Sequence, residues 1–464
     1  MIAGARSGHH KVTVYFMQGK GDFLPMTKSQ LAPGKILLLG FQHVFAMFGA
    51  TVLVPTLTGL SVSSTLLFAG LGTLLFHLIT KGKVPAFLGS SFAFLGGYAA
   101  VKSLVVDSGT GANWIPYAGV GVACAGLLYV IVSQLFRLFG AGKVMRYFPP
   151  VVTGPIIICI GITLANSAVN NCANNWWIAI VAVLIVVVFN IWGKGMLKII
   201  PILLGVVGSY LVAALCGQVD FTPVAEAAWL GLPFGWSDTV FSLAGNVDTS
   251  LLASAIAMMM PIALATMMEH IGDMCAISST VEKNFIQDPG LHRSLLGDGL
   301  ATSMAALFGA PANTTYGENT GVLALTKVYD PRVVRLAAVI AVLFSFSPKF
   351  AALVSCMPTA TIGGVSLILY GMISAVGVRN IVENQVDFTK SRNVIISALI
   401  MSLALGINFS HAGAIAFQVG GIDISLSGLA IASLVGVLLN AILPGNDYVF
   451  GKNSQGDTSV NFKV

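Results

Sequence analysis

The stretch Asn313-Thr314-Thr315-Tyr316-Gly317-Glu318-Asn319-Thr320-Gly321 decides how this chain is read. It is polar, carries two glycines and a carboxylate, and lies between strongly apolar segments. An ionisable side chain at membrane depth is costly, so it persists where it faces a cavity or a partner. Backbone that leaves the helical pattern at that depth is tolerated only where it is buried in protein or lines a cavity. The stretch is therefore expected to be a broken membrane element at a binding site.

Composition supports the membrane reading. Of 464 residues, 56% are hydrophobic and 9% charged, with a mean hydropathy of +0.87. A soluble domain carries roughly 25% charged residues. No apolar run lies in the first thirty residues, so no cleavable leader is expected. Residues 1–35 read instead as a polar, mildly basic tail. The net charge of +6 is spread along short connections, which argues against a nucleic-acid partner. None of the six cysteines has C-x-x-C or metal-ligand spacing, so neither a metal nor a cofactor is expected.

Apolar runs fall near 36–57, 63–80, 84–101, 117–137, 144–166, 175–193 and 199–217, then near 250–273, 294–310, 313–328, 332–348, 351–378, 392–409 and 425–443. This predicts an all-α polytopic membrane protein of about fourteen segments, most near the ~20 residues a spanning helix needs. Two segments are abnormal. The third, Val84 to Phe94, is interrupted by Pro85, Gly89, Ser90 and Ser91, and the tenth opens with the stretch quoted above. Each is third in its group of seven. Short, Gly/Pro-interrupted segments at corresponding places in two halves point to the site of an inverted-repeat transporter. An odd number of spans per repeat makes the halves antiparallel.

Charge placement agrees. With the amino terminus inside, 22 of the 24 basic residues fall on the cytoplasmic side, leaving Lys102 and Lys349 outside. The connection 218–249 has acids but no Lys or Arg and is expected to be exterior. Both termini, 1–35 and 444–464, are then cytoplasmic tails of a multi-pass inner-membrane protein.

Four acids lie within the spans: Glu269, Asp273, Asp298 and Glu318. Glu269 and Asp273 are four apart and share a helix face. Asp298 is expected to open the ninth span, either as a helix-start residue or as part of a proton path. An acid buried without a basic partner binds a proton more readily, and neither Glu269 nor Glu318 has a Lys or Arg near it in sequence. His43 is the other membrane histidine of interest; a satisfied core role is the plainer reading, and His270 stands similarly. Where the spans break, backbone N–H and C=O groups become free for a ligand, and half-helix amino ends carry partial positive charge. Two such ends beside two carboxylates match a small planar molecule with C=O and N–H groups along one edge. Phe92 and Tyr316 could supply an apolar wall or a stacking face.

Glu318-Asn319-Thr320-Gly321 with Thr326-Lys327 also follows the pattern Gln/Glu, Asn, any, Gly, four residues, Thr, then Arg, Lys or Gly. With Gln42 to Thr51, Leu88 to Phe94, Glu269 to Asp273 and Asp288 to Ser294, it resembles the nucleobase–ascorbate transporter family, and within it the bacterial uracil-permease branch. The resemblance runs from about residue 36 to 443. It implies strand-containing third and tenth segments. It also implies a core domain from segments 1–4 and 8–11 (36–138 and 250–348) and a gate domain from segments 5–7 and 12–14 (144–217 and 349–443).

By the same resemblance, uracil would sit between the two short strands. Glu269 and Glu318 would hold its N–H and carbonyl edge, backbone at Phe92 and Gly317 would add hydrogen bonds, and Ala50 and Tyr316 would line the pocket. Purine-carrying members place Gln where Glu318 stands, which favours uracil over xanthine or urate. Some uracil carriers have His where Asp273 stands, so a proton role there departs from their pattern. The expectation is a uracil:proton symporter working by alternating access, with Glu269, Asp273, Asp298 and His43 as proton-coupling candidates and a homodimer implied. Another nucleobase in the same fold is the nearest alternative. An ion channel or anion exchanger is a distant one. No H-E-x-x-H or G-x-S-x-G arrangement supports an enzyme.

Overall fold

The computed structural model describes residues 33–446 and 448, apart from 246 and 421. The expected tails, 1–35 and 444–464, thus lie almost wholly outside the described residues. The first half holds α1 (Pro33–Thr58), α2 (Val62–Ile79), β1 (Leu88–Ser90), a 3-10 turn (Phe92–Phe94), α3 (Leu95–Asp107), α4 (Trp114–Phe139), the short α5 (Ala141–Met145), α6 (Pro150–Ala173), α7 (Trp176–Trp192), α8 (Met196–Ile199) and α9 (Pro201–Leu215). After the short α10 (Thr222–Glu226) come α11 (Thr249–Met259), α12 (Ala263–Val281), α13 (Leu291–Leu307), β2 (Asn313–Thr315) and α14 (Gly317–Thr326). The chain finishes with α15 (Pro331–Ser345), α16 (Pro348–Ser355), α17 (Thr359–Glu383), α18 (Ser391–Asn408), β3 (Ala414–Val419), β4 (Ile422–Ser427) and α19 (Gly428–Ile442).

This is a multi-pass membrane fold. Among the described residues, seven helices are long and apolar enough to cross a bilayer, with α11 and α12 counted as one from Thr249 to Ser278. The shorter apolar helices α7, α9 and α19 add to them. The third and tenth segments are each a three-residue strand followed by a helix. Helix starts follow local chemistry. Ser61, Asn113, Asp248, Asp330 and Ser427 accept backbone N–H groups at the heads of α2, α4, α11, α15 and α19. Pro150, Pro201 and Pro331 occupy first-turn positions, where the missing N–H costs nothing.

Two features differ from the sequence reading. The expected twelfth segment is split, because α16 bends 90° away from α15 and Pro358 separates it from α17. Residues 414–427, which lie between the expected thirteenth and fourteenth segments and take in the first residues of the fourteenth, form the antiparallel hairpin β3–β4, with Ala414 opposite Ser427 and Val419 opposite Ile422.

The helices pack as two groups. In one, α13 lies on α4 and α2, α15 on α2 and α1, and α11 on α4. In the other, α17 lies on α6 and α7, α7 on α9, and α18 on α19 and α6. Glycines permit the closest approaches. A Cβ on Gly377 would sit 2.6 Å from the backbone nitrogen of Ile158 in α6, and one on Gly119 2.7 Å from the Ala306 carbonyl. Outside the membrane, Lys83 and Asp288 join two connections at 2.6 Å. That hydrogen bond holds the Asp288 carboxyl below its ordinary range.

Candidate functional site

The site grows from the two broken segments. Pro85 ends any helical run into the third, and the side-chain-free Gly89 lets another group lie flat on β1. Strands β1 and β2 pair antiparallel, with Leu88 opposite Thr315, Gly89 opposite Thr314 and Ser90 opposite Asn313. The ladder extends by one bond at each end: Ser91 N–H donates to the Ala312 carbonyl at 2.8 Å, and Tyr316 N–H to the Phe87 carbonyl at 3.0 Å. Two interrupted spans thus satisfy each other's backbone groups, as an apolar surrounding demands.

Each strand leads directly into a helical start, at Phe92 and at Gly317, and neither start has a side-chain cap. Their first N–H groups carry the positive ends of the helix dipoles.

Tyr316 locks the pair. Its ring lies over Gly89, where an added Cβ would collide with it. Its hydroxyl donates to the Ser90 carbonyl at 3.0 Å and lies 3.1 Å from Ser90 Oγ, which donates to the Thr51 carbonyl of α1 at 3.0 Å. Ala50, beside Thr51, is fully buried. Phe92 is buried with its ring edge-on to Tyr370 of α17, centroids 5.5 Å apart at 76°. Phe92 therefore joins the strand pair to the second helix group.

The acids arrive on α12, which packs against β2 and α14. Thr315 Oγ1 donates to Asp273 Oδ2 at 2.8 Å. Gly317 lies against the same carboxylate, since a Cβ there would be 3.7 Å from Asp273 Oδ1. Glu269, one turn earlier, is partly buried. Between them, His270 Nδ1 lies 3.0 Å from Asp298 Oδ2 and 3.4 Å from Thr315 Oγ1. His270 and Asp298 are fully enclosed. Tyr129 of α4 donates to Thr266 Oγ1 at 2.6 Å and closes that side.

The structure thus places Phe92, Asp273, Tyr316 and Gly317 around the strand pair and sets Asp298 behind it, against His270. His43 belongs to a separate contact, where Asn319 Nδ2 lies 3.0 Å from its Nδ1 and donates to its carbonyl at 3.3 Å, fastening α14 to α1. Glu318 is the second residue of α14; its side chain lies outside what is described. One expectation is corrected. Asp298 does not open its span but sits well inside α13, because the turn at Gly290 (φ 97°) starts that helix at Leu291.

Sequence reasoning missed Tyr370, which no local signal marks, and left Ser90 and Asn319 out of the site. Those two were legible as polar residues inside a break and inside the signature.

A cleft of about 620 Å³ opens between the two helix groups at the Thr58 end of α1. Lys102 and Tyr98 of α3 face Ser167 of α6, Asn408 of α18 and Leu429 of α19 across it, and Ala93 lies on its wall, next to Phe92.

A sequence model described as the permease family matches residues 34–413. The chain belongs to this permease family. It is the nucleobase–ascorbate transporter family that the motifs resemble. A uracil permease of Bacillus subtilis is 42% identical, over 90% of this permease and 93% of its own length. The uracil permease of Escherichia coli K12 is 37% identical over 87% and 90%.

Among solved structures, the transmembrane domain of a cyanobacterial bicarbonate transporter, BicA, matches with a TM-score of 0.57 and 15% identity, over 88% of the permease and 96% of that chain. The murine anion transporter Slc26a9 in its inward-facing state matches at 0.60 and 11%, over 90% and 69%. At those identities the likeness is one of fold. It fits a permease built from two helix groups with paired, interrupted spans.

Proposed function

We propose that the protein imports uracil together with a proton across the inner membrane, by alternating access of one site to the two sides. The observation that carries this reading is the register of β1 against β2. It sets two uncapped helix starts beside an acid-bearing helix, in a chain 42% identical to a uracil permease. Uracil presents N–H donors and C=O acceptors along one edge. In this reading Glu269 and Glu318 accept from the N–H groups, and backbone N–H groups at Phe92 and Gly317 donate to the carbonyls. Phe92 supplies the aromatic face, while Tyr316 and Ala50 shape the wall.

The group around α2, α4, α13 and α15 acts as the core domain (36–138, 250–348), and the group around α6, α9, α17 and α18 as the gate (144–217, 349–443). The cleft beside Ala93 is the exterior approach, which puts both termini in the cytoplasm. Coupling follows from charge. A bare carboxylate is costly to move past an apolar face and a protonated one is not. Protonation of Glu269 lets uracil bind and the core move; proton loss toward the cytoplasm releases it. Asp273 shares this role through Thr315, which ties its carboxylate to β2. Asp298 and His43 serve by holding His270 and Asn319 in place.

Uptake of labelled uracil in a transport-null host tests the reading. Accumulation should collapse with a protonophore and be competed by cold uracil more strongly than by xanthine or urate. Accumulation indifferent to the protonophore, or competed best by a purine, would overturn it.

A further inference from the structure

The connection from α9 to α11 carries an apolar surface that no helix among the described residues covers. Trp229, Leu230, Leu232 and Trp236 are 75%, 80%, 82% and 67% exposed. Their backbone is nonetheless held. Gly231 N–H donates to the Phe346 carbonyl and Lys349 N–H to the Ala228 carbonyl, both at 3.0 Å. The Pro233 carbonyl accepts from Ser64 Oγ at 2.9 Å. Asn113 Nδ2 donates to the Ser237 carbonyl and to Asp238 Oδ1, each at 3.0 Å. Phe234 turns inward, edge-on to Phe308 with centroids 5.2 Å apart. With the backbone tied down and one aromatic half-buried, the four large side chains are held outward.

What covers them follows from where the strip is tied. Phe346 and Lys349 bracket the elbow at which α16 turns 90° from α15. A helix at right angles to a spanning one runs parallel to the membrane plane, and the elbow falls where the spanning α15 ends at Ser345, so we take it as the depth of the boundary. A strip bonded to both sides of that elbow lies at the same depth. Leu343, 65% exposed on the last turn of α15, leads the lipid-facing surface of that helix up to it. Tryptophan and lysine both favour this boundary, and Lys349 Nζ stands 4.8 Å over the Trp229 ring. Residues 218–249 contain no Lys or Arg, so burial of apolar area rather than attraction to anionic lipid must hold the strip there.

We propose that residues 228–236 form a membrane-interface anchor, with Trp229, Leu230, Leu232 and Trp236 seated at the headgroup–acyl boundary of one leaflet. Its hydrogen bonds to Ser64 and Phe346, and those of Asn113 to the adjoining Ser237 and Asp238, fasten it to the helix group that holds the broken segments. The inference rests on the chain's place in a bilayer and not on its substrate.

The test uses the full-length protein in phosphatidylcholine vesicles. Tryptophan fluorescence is quenched by lipids brominated near the carbonyl or deep in the chain, and by aqueous iodide. The unmodified protein is compared with the double variant Trp229→Phe, Trp236→Phe. These are two of six tryptophans, so the variant should lose about a third of the shallow-bromine quenching, with little change at the deep position or with iodide. Each single variant should lose about half of that amount, which keeps the test open if the double variant does not fold. Loss of iodide quenching with bromine quenching intact would place the strip in water and overturn the proposal. No change in either would do the same, as expected if a second copy of the chain covers the strip.

Discussion

Gly89→Ala tests whether the strand pair is the rigid heart of the transporter. A Cβ at 89 meets two ring carbons of Tyr316 and its hydroxyl, the last at 2.7 Å. The ring cannot swing away freely, because its hydroxyl donates to the Ser90 carbonyl and its backbone N–H to the Phe87 carbonyl. Overpacking at a tight buried position costs about 1–3 kcal/mol. Losing the buried hydroxyl bond adds about 1 kcal/mol. A penalty of about 2–4 kcal/mol on the binding-competent geometry corresponds to roughly 30- to 700-fold weaker apparent uracil binding, at 1.4 kcal/mol per decade.

The assay is uracil affinity of purified protein, with uptake alongside. Gly406→Ala is the control, since Gly406 lies in a helix with nothing within 4 Å of the added carbon. Tyr316→Ala should absorb most of the Gly89→Ala effect in the double variant, because the collision is with that ring. Unchanged affinity in Gly89→Ala, or effects that simply add, would refute the reasoning.

Other outcomes follow from the same geometry. Glu269→Gln should abolish proton-driven accumulation while leaving the protein folded; retained concentrative, pH-dependent uptake would contradict the coupling role. Glu318→Gln should weaken uracil binding and admit xanthine, measured by competition; an unaltered uracil affinity would count against that assignment. Asn319→Leu leaves the His43 ring nitrogen and carbonyl without their α14 partner. It should cost about 1–3 kcal/mol of stability, read as a lower melting temperature, and a variant that melts like the parent would show that the α1–α14 tie is idle.

How far the sequence reaches can be seen residue by residue. Apolar runs bounded by Gly, Pro, Lys and Arg locate the spans, since hydropathy over some twenty residues is a local property. Pro85, Gly89 and the stretch from Asn313 to Gly321 mark the two breaks for the same reason: each is a lapse in a local pattern. Glu269 and Asp273 stand out because a charge in oil needs a reason.

Other features have no local signature. The pairing of Gly89 with Thr314, the Tyr316 ring over Gly89, Asn319 on His43 and Asp298 against His270 join residues far apart in the chain. Such contacts are set by how the intervening helices stack, and a one-residue slip of β1 against β2 would turn every side chain to the opposite face. The sequence by itself determined a membrane protein with two matched breaks and four acids at risk in oil, because transfer from water is decided one segment at a time. Only the tertiary structure decided which of those acids meets which strand, because that depends on packing across the whole bundle.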